Sequence, residues 1–365
     1  MKRAERLAGI WMILGATLAA TGVSQEANVT NARLQTRAVD GGLEEPFRKL
    51  ARDQIGPAWI GYAVPVVEGQ HRICCYPAEE HHKPALLRHG QCKLESRDEG
   101  MNFQSDGDSD QETSSRLLVL FRVADKTVGK IRVFTGDCEL DAGGLPVWWL
   151  TDVNPKESIR LLASFVRADA EKSRTQSRIS ETAVTAIALH ADPAADSALE
   201  AFVDPRNPEE VRKNTAFWLG NVRGQKGYEI LRRMVHDDPS EKVRDQCIFA
   251  LHLSKVPEAV NTIIEMARKD KSSHLRGQAL FWLSQKAGQK AANAISDAIE
   301  NDPETEVKKK AVFALSQLPR EQGIPKLIQV ARVNHNREVR KDAMFWLGQS
   351  NDERALTFFE EVLTR

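Results

Sequence analysis

Cys74 and Cys75 stand side by side, Cys92 follows seventeen residues after Cys75, and Cys138 lies further along, with His71, His81, His82 and His89 in the same stretch. Thiols and imidazoles so placed can do one of two things: join sulfur to sulfur, or hold zinc or copper. Adjacent cysteines rarely bond each other, because the ring they close strains the peptide. One of Cys74 and Cys75 is therefore expected to pair with Cys92 and the other with Cys138. The rival is a metal site using His71, His81, His82 and His89, but its spacing matches no recurrent zinc module. Asp106, Asp108 and Asp110 alternate as in a calcium loop, yet Gln111 stands where the turn needs Gly and Leu117 where the bidentate Glu belongs. A solvated acidic loop is the better reading. There is no G-x-S-x-G elbow, no phosphate-cradling glycine loop and no H-E-x-x-H, so no catalytic residue and no cofactor is assigned.

The 365 residues carry 51 Lys plus Arg against 51 Asp plus Glu. With no net charge, no long-range field draws the chain to nucleic acid. Lys2, Arg3 and Arg6 precede an apolar run from Leu7 to Val23 that ends among small residues, the layout of a secretory signal peptide cut after Gly22 or Ser24. A retained anchor is the alternative, because seventeen residues sit at the short limit for a bilayer core of about 30 Å. No later run approaches that length. The mature protein is expected to be periplasmic or secreted, without a membrane segment, and disulfides suit that compartment.

The chain also aligns with itself at an offset of 32 residues, without a gap, over five copies: VRKNTAFWLG from Val211, VRDQCIFALH from Val243, LRGQALFWLS from Leu275, VKKKAVFALS from Val307 and VRKDAMFWLG from Val339. A weaker copy starts at Ile179. A second apolar ladder at the same spacing runs through Leu199, Leu231, Ile263, Ile295, Leu327 and Phe359. Each unit thus has two apolar helical stripes, and Asp204-Pro205, Asp238-Pro239 and Asp302-Pro303 fall where one helix must stop and the next begin. A single hairpin cannot bury two stripes, so neighbours must stack into a solenoid.

These units resemble HEAT repeats, most closely the bacterial type named after phycobilisome lyases, over roughly residues 155 to 365. The resemblance implies an α-α superhelix of the HEAT/armadillo kind, with six hairpins and a C-terminal capping helix over residues 153 to 365. Some relatives of this kind are enzymes. One group attaches bilins in the cytosol, a role that export contradicts, and another hydroxylates a modified lysine at a di-iron site held by His-Glu pairs. No His-Glu dipeptide occurs here.

Ahead of the solenoid, residues 1–24 read as signal, 25–43 as linker and 44–152 as a small β-rich domain with period-two runs. Trp59 to Val67 with His71 to Tyr76 reads as one hairpin, and Leu117 to Ala124 with Val128 to Phe134 as another. Cys247 occupies a small core slot of its repeat, where inert packing is expected.

Two ladders remain. Arg212, Arg244, Arg276, Lys308 and Arg340 hold the second place of each copy and are expected to pair with Asp of their own or the adjacent unit. Phe217, Phe249, Phe281, Phe313 and Phe345 sit at position six, about 240° round the helix, while the buried positions centre near 20–40°. That places the Phe row on or beside the exposed arc, which in a solenoid lines the concave surface. Trp218, Trp282 and Trp346 alternate with Ala250 and Ala314 and read as interlocking packing. The leading expectation is an exported scaffold that holds a protein or peptide along the Phe row, flanked by Lys213, Lys309 and Lys341. The alternative is an enzyme or enzyme subunit with a His/Cys metal site in the β-rich domain, or a bilin-lyase-like protein.

Overall fold

The computed structural model describes residues 28–39, 42–69, 72–75, 92–96, 102–104, 114–166, 173–286 and 288–364. The expected signal segment, the acidic run Asp106 to Asp110, and His71, His81, His82 and His89 lie outside the described residues.

The N-terminal part is built on a mixed five-stranded sheet. Its strands are β2 (Arg33–Ala38), β3 (Ala58–Pro65), β7 (Arg116–Ala124), β8 (Thr127–Thr135) and β10 (Pro146–Thr151), in the order β2-β10-β3-β7-β8. Short strands β1 (Val29–Thr30), β5 (Cys92–Lys93) and β9 (Leu140–Asp141) form a second sheet, and β4 (Arg72–Cys74) pairs with β6 (Asn102–Gln104). Residues 29–38 are thus strands, not linker. The β7–β8 hairpin turns through Asp125 and Lys126, both at positive φ, as a two-residue loop between twisted strands requires. The hairpin read at Trp59 to Tyr76 is corrected: β3 pairs with β7 and β10, and β4 turns away to β6. The period-two pattern marks a strand but does not choose its neighbour.

Both faces of the sheet are covered at β7, so its alternate residues enter two different cores. Leu118 and Leu120 join Trp59, Phe134, Trp149 and the four cysteines. Gly61 stands between, because a Cβ there would come 2.8 Å from the Trp149 ring. Leu117, Val119, Phe121 and Val123 face the other way, onto helix α1 (Glu44–Asp53) and into the same continuous core as the helices that follow.

Those helices run in antiparallel pairs: α2 (Pro155–Ala163) with α3 (Arg174–Leu189), α4 (Ala194–Phe202) with α5 (Glu209–Val222), α6 (Gly224–Asp237) with α7 (Glu241–Leu253), α8 (Ala259–Lys269) with α9 (Ser273–Gln285), α10 (Gln289–Asn301) with α11 (Thr305–Ser316), and α12 (Arg320–Val333) with α13 (Arg337–Gln349), before α14 (Glu353–Leu363). Among the described residues no helix is long and apolar enough to cross a membrane. The odd-numbered helices from α3 pack more closely on each other than the even-numbered ones do, which curves the array with the odd row inside. At Gly220 a Cβ would lie 2.2 Å from the Ala250 carbonyl oxygen, so α5 and α7 meet backbone to backbone.

Helix α14 covers its neighbour only in part. Ala355 and Phe358 are buried, but Leu356, Val362 and Leu363 are exposed, Leu363 at 84%. Val362 and Leu363 therefore do not close the last hairpin.

The sheet meets the solenoid through hydrogen bonds as well as apolar packing. Val67 N donates to Leu189 O at 2.7 Å and Ala191 N to Pro65 O at 3.0 Å, tying the end of β3 to the end of α3. In the buried joint Ser158 Oγ lies 2.8 Å from both Tyr62 OH and His190 Nε2. Burial pushes the Tyr62 hydroxyl well above its ordinary pKa. Arg223 Nη1 donates to the carbonyls of His190 and Ala188, at 2.8 and 3.1 Å. The sheet thus occupies the place that a preceding hairpin would fill.

Candidate functional site

The inner helices bring the Phe row together. Phe217 and Phe249 stack with ring centroids 6.3 Å apart, and Phe281 and Phe313 do so at 6.3 Å with planes 1° from parallel. Trp282 links the pairs, 4.7 Å from Phe249 and 4.9 Å from Phe281, and Trp346 lies 5.0 Å from Phe313 and 5.1 Å from Phe345. Phe217, Phe249, Phe281 and Phe313 are half-buried and Phe345 is 56% exposed. Lateral packing and a solvent-facing aromatic surface therefore coexist in the same rings. Trp218 is buried, whereas Trp282 and Trp346 are only half-buried, so two of the three indoles belong to the row as well as to the packing.

The large-small alternation makes this possible. Where a copy carries Ala250 or Ala314 beside its Phe, the Trp of the next copy packs against that Phe. His252 adds a ring 4.9 Å from Trp282, and burial, with Lys286 nearby, holds its pKa below the ordinary histidine value.

The flanking lysines are less available than their spacing suggests. Lys213 Nζ lies 3.0 Å from Glu210 and Lys309 Nζ 3.3 Å from Glu306, each on the preceding turn, while Lys341 is exposed. Two of the three flanking lysines are thus neutralised locally.

The basic ladder points inward. Arg212 Nε and Nη2 reach Asp238 at 2.9 and 3.1 Å, Arg244 Nη1 reaches Asp270 at 3.0 Å, and Arg276 Nε and Nη2 reach Asp302 at 2.7 and 3.0 Å. Every acceptor belongs to the next hairpin, and each also accepts the backbone N–H two residues on, from Ser240, Ser272 or Glu304. One carboxylate thus braces the turn leading into its own inner helix and fixes the preceding unit. At the following junction Lys308 donates to Glu300 O and Asn334 replaces the Asp; both partners have changed together.

In the N-terminal part Cys74 is bonded to Cys138 and Cys75 to Cys92, with Cα–Cα distances of 5.6 and 5.2 Å. Among the described residues, the His, Cys and carboxylate groups close enough to share a metal are Cys74, Asp137 and Cys138, and a disulfide occupies two of the three. Cys247 is buried, and burial pushes its thiol pKa up, away from reactivity. Denatured protein should therefore show one reactive thiol before reduction and five after it. Finding five without reductant in protein taken from an oxidising compartment would remove both disulfides.

The geometry defines a stack of helical hairpins closed at one end by a β-sheet. Residues 205–284 and 292–365 match the HEAT repeats family, so the C-terminal part of the solenoid is built of HEAT repeats. A sequence search of curated proteins finds no match. Among solved structures, human deoxyhypusine hydroxylase in complex with glycerol is similar at 15% identity, covering 57% of this chain and 90% of that one, with a TM-score of 0.27. The CpcE–CpcF complex of phycocyanin lyase from Nostoc sp. is similar at 22% identity over 42% of this chain and 99% of that one, with a TM-score of 0.33. The Kap95:Nup1 complex is similar at 15% identity over 58% and 33%, with a TM-score of 0.37. Likeness at this level carries no argument about activity.

Proposed function

We propose that this protein is an exported scaffold whose inner-helix surface holds a protein or peptide partner along the aromatic row. The observation that carries the reading is the run of Phe217, Phe249, Phe281, Phe313 and Phe345, linked ring to ring through Trp282 and Trp346 and only half-covered. Contiguous exposed apolar surface of this kind marks contact sites. The disulfides and the apolar N-terminal run support export.

Changing both Phe281 and Phe313 to Ala should abolish capture of the partner crosslinked from the native envelope or culture fluid, at about 2 kcal/mol or more per anchor. Because the rings are half-buried, the melting transition should fall by much less than the roughly 3–5 kcal/mol that each fully buried Phe would cost. A strongly lowered transition, with capture lost only through unfolding, would make the row pure packing. Fractionation and N-terminal sequencing of the mature chain test export; an intact Met1 in the cytosol would defeat it.

A further inference from the structure

We infer that the cavity between the fifth and sixth hairpins is a binding site for the C-terminus of a peptide that ends in an apolar residue. The cavity, about 260 Å³, opens where α11 turns into α12 beside the end of α13. Its apolar wall is Leu315, Leu318, Ile324, Leu327 and Trp346. At this volume it falls below the roughly 300–1,000 Å³ of small-molecule sites, so it suits one large side chain. It is also firmly walled: a Cβ at Gly323 would come 2.5 Å from the Leu315 carbonyl oxygen, so α12 rests directly on the α11 backbone.

The rim supplies the opposite chemistry. Arg320 lines the opening with Gln317 and Gln349. The two nearby carboxylates are already engaged, because Arg354 donates to Asp352 at 2.8 Å and to Glu321 at 2.9 Å. Among the described residues Arg320 has no ion pair of its own, so its guanidinium donors are open to a ligand carboxylate at the mouth of the apolar cavity. Gln317 Nε2 donates to Ser316 Oγ at 3.1 Å, so its carbonyl oxygen is the group left to accept a ligand N–H. A ligand that fits must place a carboxylate beside an apolar group. In a polypeptide only the last residue carries its α-carboxylate and an apolar side chain on one carbon, and the peptide N–H of that residue meets an amide acceptor at the rim.

This narrows the peptide-binding reading above but uses only Trp346 of the aromatic row, so either can fail alone. The test is calorimetric titration of the full chain with Gly-Ser-Gly-Ser-Gly-Leu as free acid and as C-terminal amide. The free acid should bind at least tenfold more tightly, Arg320→Ala should abolish that difference with an unchanged melting transition, and Arg320→Lys should retain part of it. Equal binding of acid and amide, or binding of neither, overturns the proposal. So does N-acetyl-leucine binding as tightly as the hexapeptide, since that outcome makes the cavity a site for small amphipathic acids.

Discussion

Asp302→Ala should cost about 3–5 kcal/mol of stability, the range for removing one partner of a buried ion pair. Arg276 and Asp302 are almost wholly buried, at 8% and 4% side-chain exposure, and the guanidinium spends three donors: two on Asp302 and a third, Nη1, on the Asp270 carbonyl at 2.9 Å. Without the carboxylate, the Arg276 charge stays in a site largely closed to water, and the Glu304 N–H loses its acceptor. The double variant Arg276→Met with Asp302→Leu should recover most of the loss, because no lone charge is left behind. Urea unfolding of the single and double variants decides the matter. A loss below about 1 kcal/mol for Asp302→Ala would mean that apolar packing alone sets the register of neighbouring hairpins.

That ladder also shows what a sequence can and cannot convey here. A fixed 32-residue offset exposes the hairpins because every copy must bury the same two stripes, and the angular position of the Phe row follows from helix geometry alone. Which Asp each Arg takes does not follow, since the Asp before an inner helix lies 26 residues beyond the Arg of the preceding unit, within reach only after stacking. Strand β2 carries no apolar alternation in the sequence because every one of its side chains is exposed; its six-residue register with β10 is held by backbone bonds. The cavity beside Trp346 has no sequence signal, because it is an interval between elements. Nor has the buried joint, whose Tyr62, Ser158 and His190 come from three separate elements 96 and 32 residues apart.

That joint makes stability depend on pH in a window set by one histidine. His190 Nδ1 lies 2.6 Å from Ala186 O, which can only accept, so Nδ1 carries the proton and Nε2 is bare. Ser158 Oγ stands 2.8 Å from that bare Nε2 and donates to the Tyr62 hydroxyl. A second proton on the ring would place a charge in this buried joint, where Arg223 opposes it and Asp192 favours it. Burial, chiefly, brings the His190 pKa down to about 4, against about 6.5 in the unfolded chain. The unfolded state therefore binds the proton first as pH falls. The contribution of neutral His190 is complete above about pH 6.5 and drains away towards pH 4, a loss of about 3 kcal/mol. Carboxylates such as Asp352, held down to about 2 by Arg354, add their own loss at lower pH, so the histidine must be isolated by comparison. His190→Gln, which keeps a side-chain amide in the joint but cannot titrate, should be less stable than the natural chain at pH 7. Its unfolding free energy should nevertheless fall less between pH 6.5 and 4.5. Parallel decline of the two proteins would place the acid sensitivity elsewhere. A flatter curve for the variant would identify the seam between sheet and first hairpin as the part of the molecule that acid opens first.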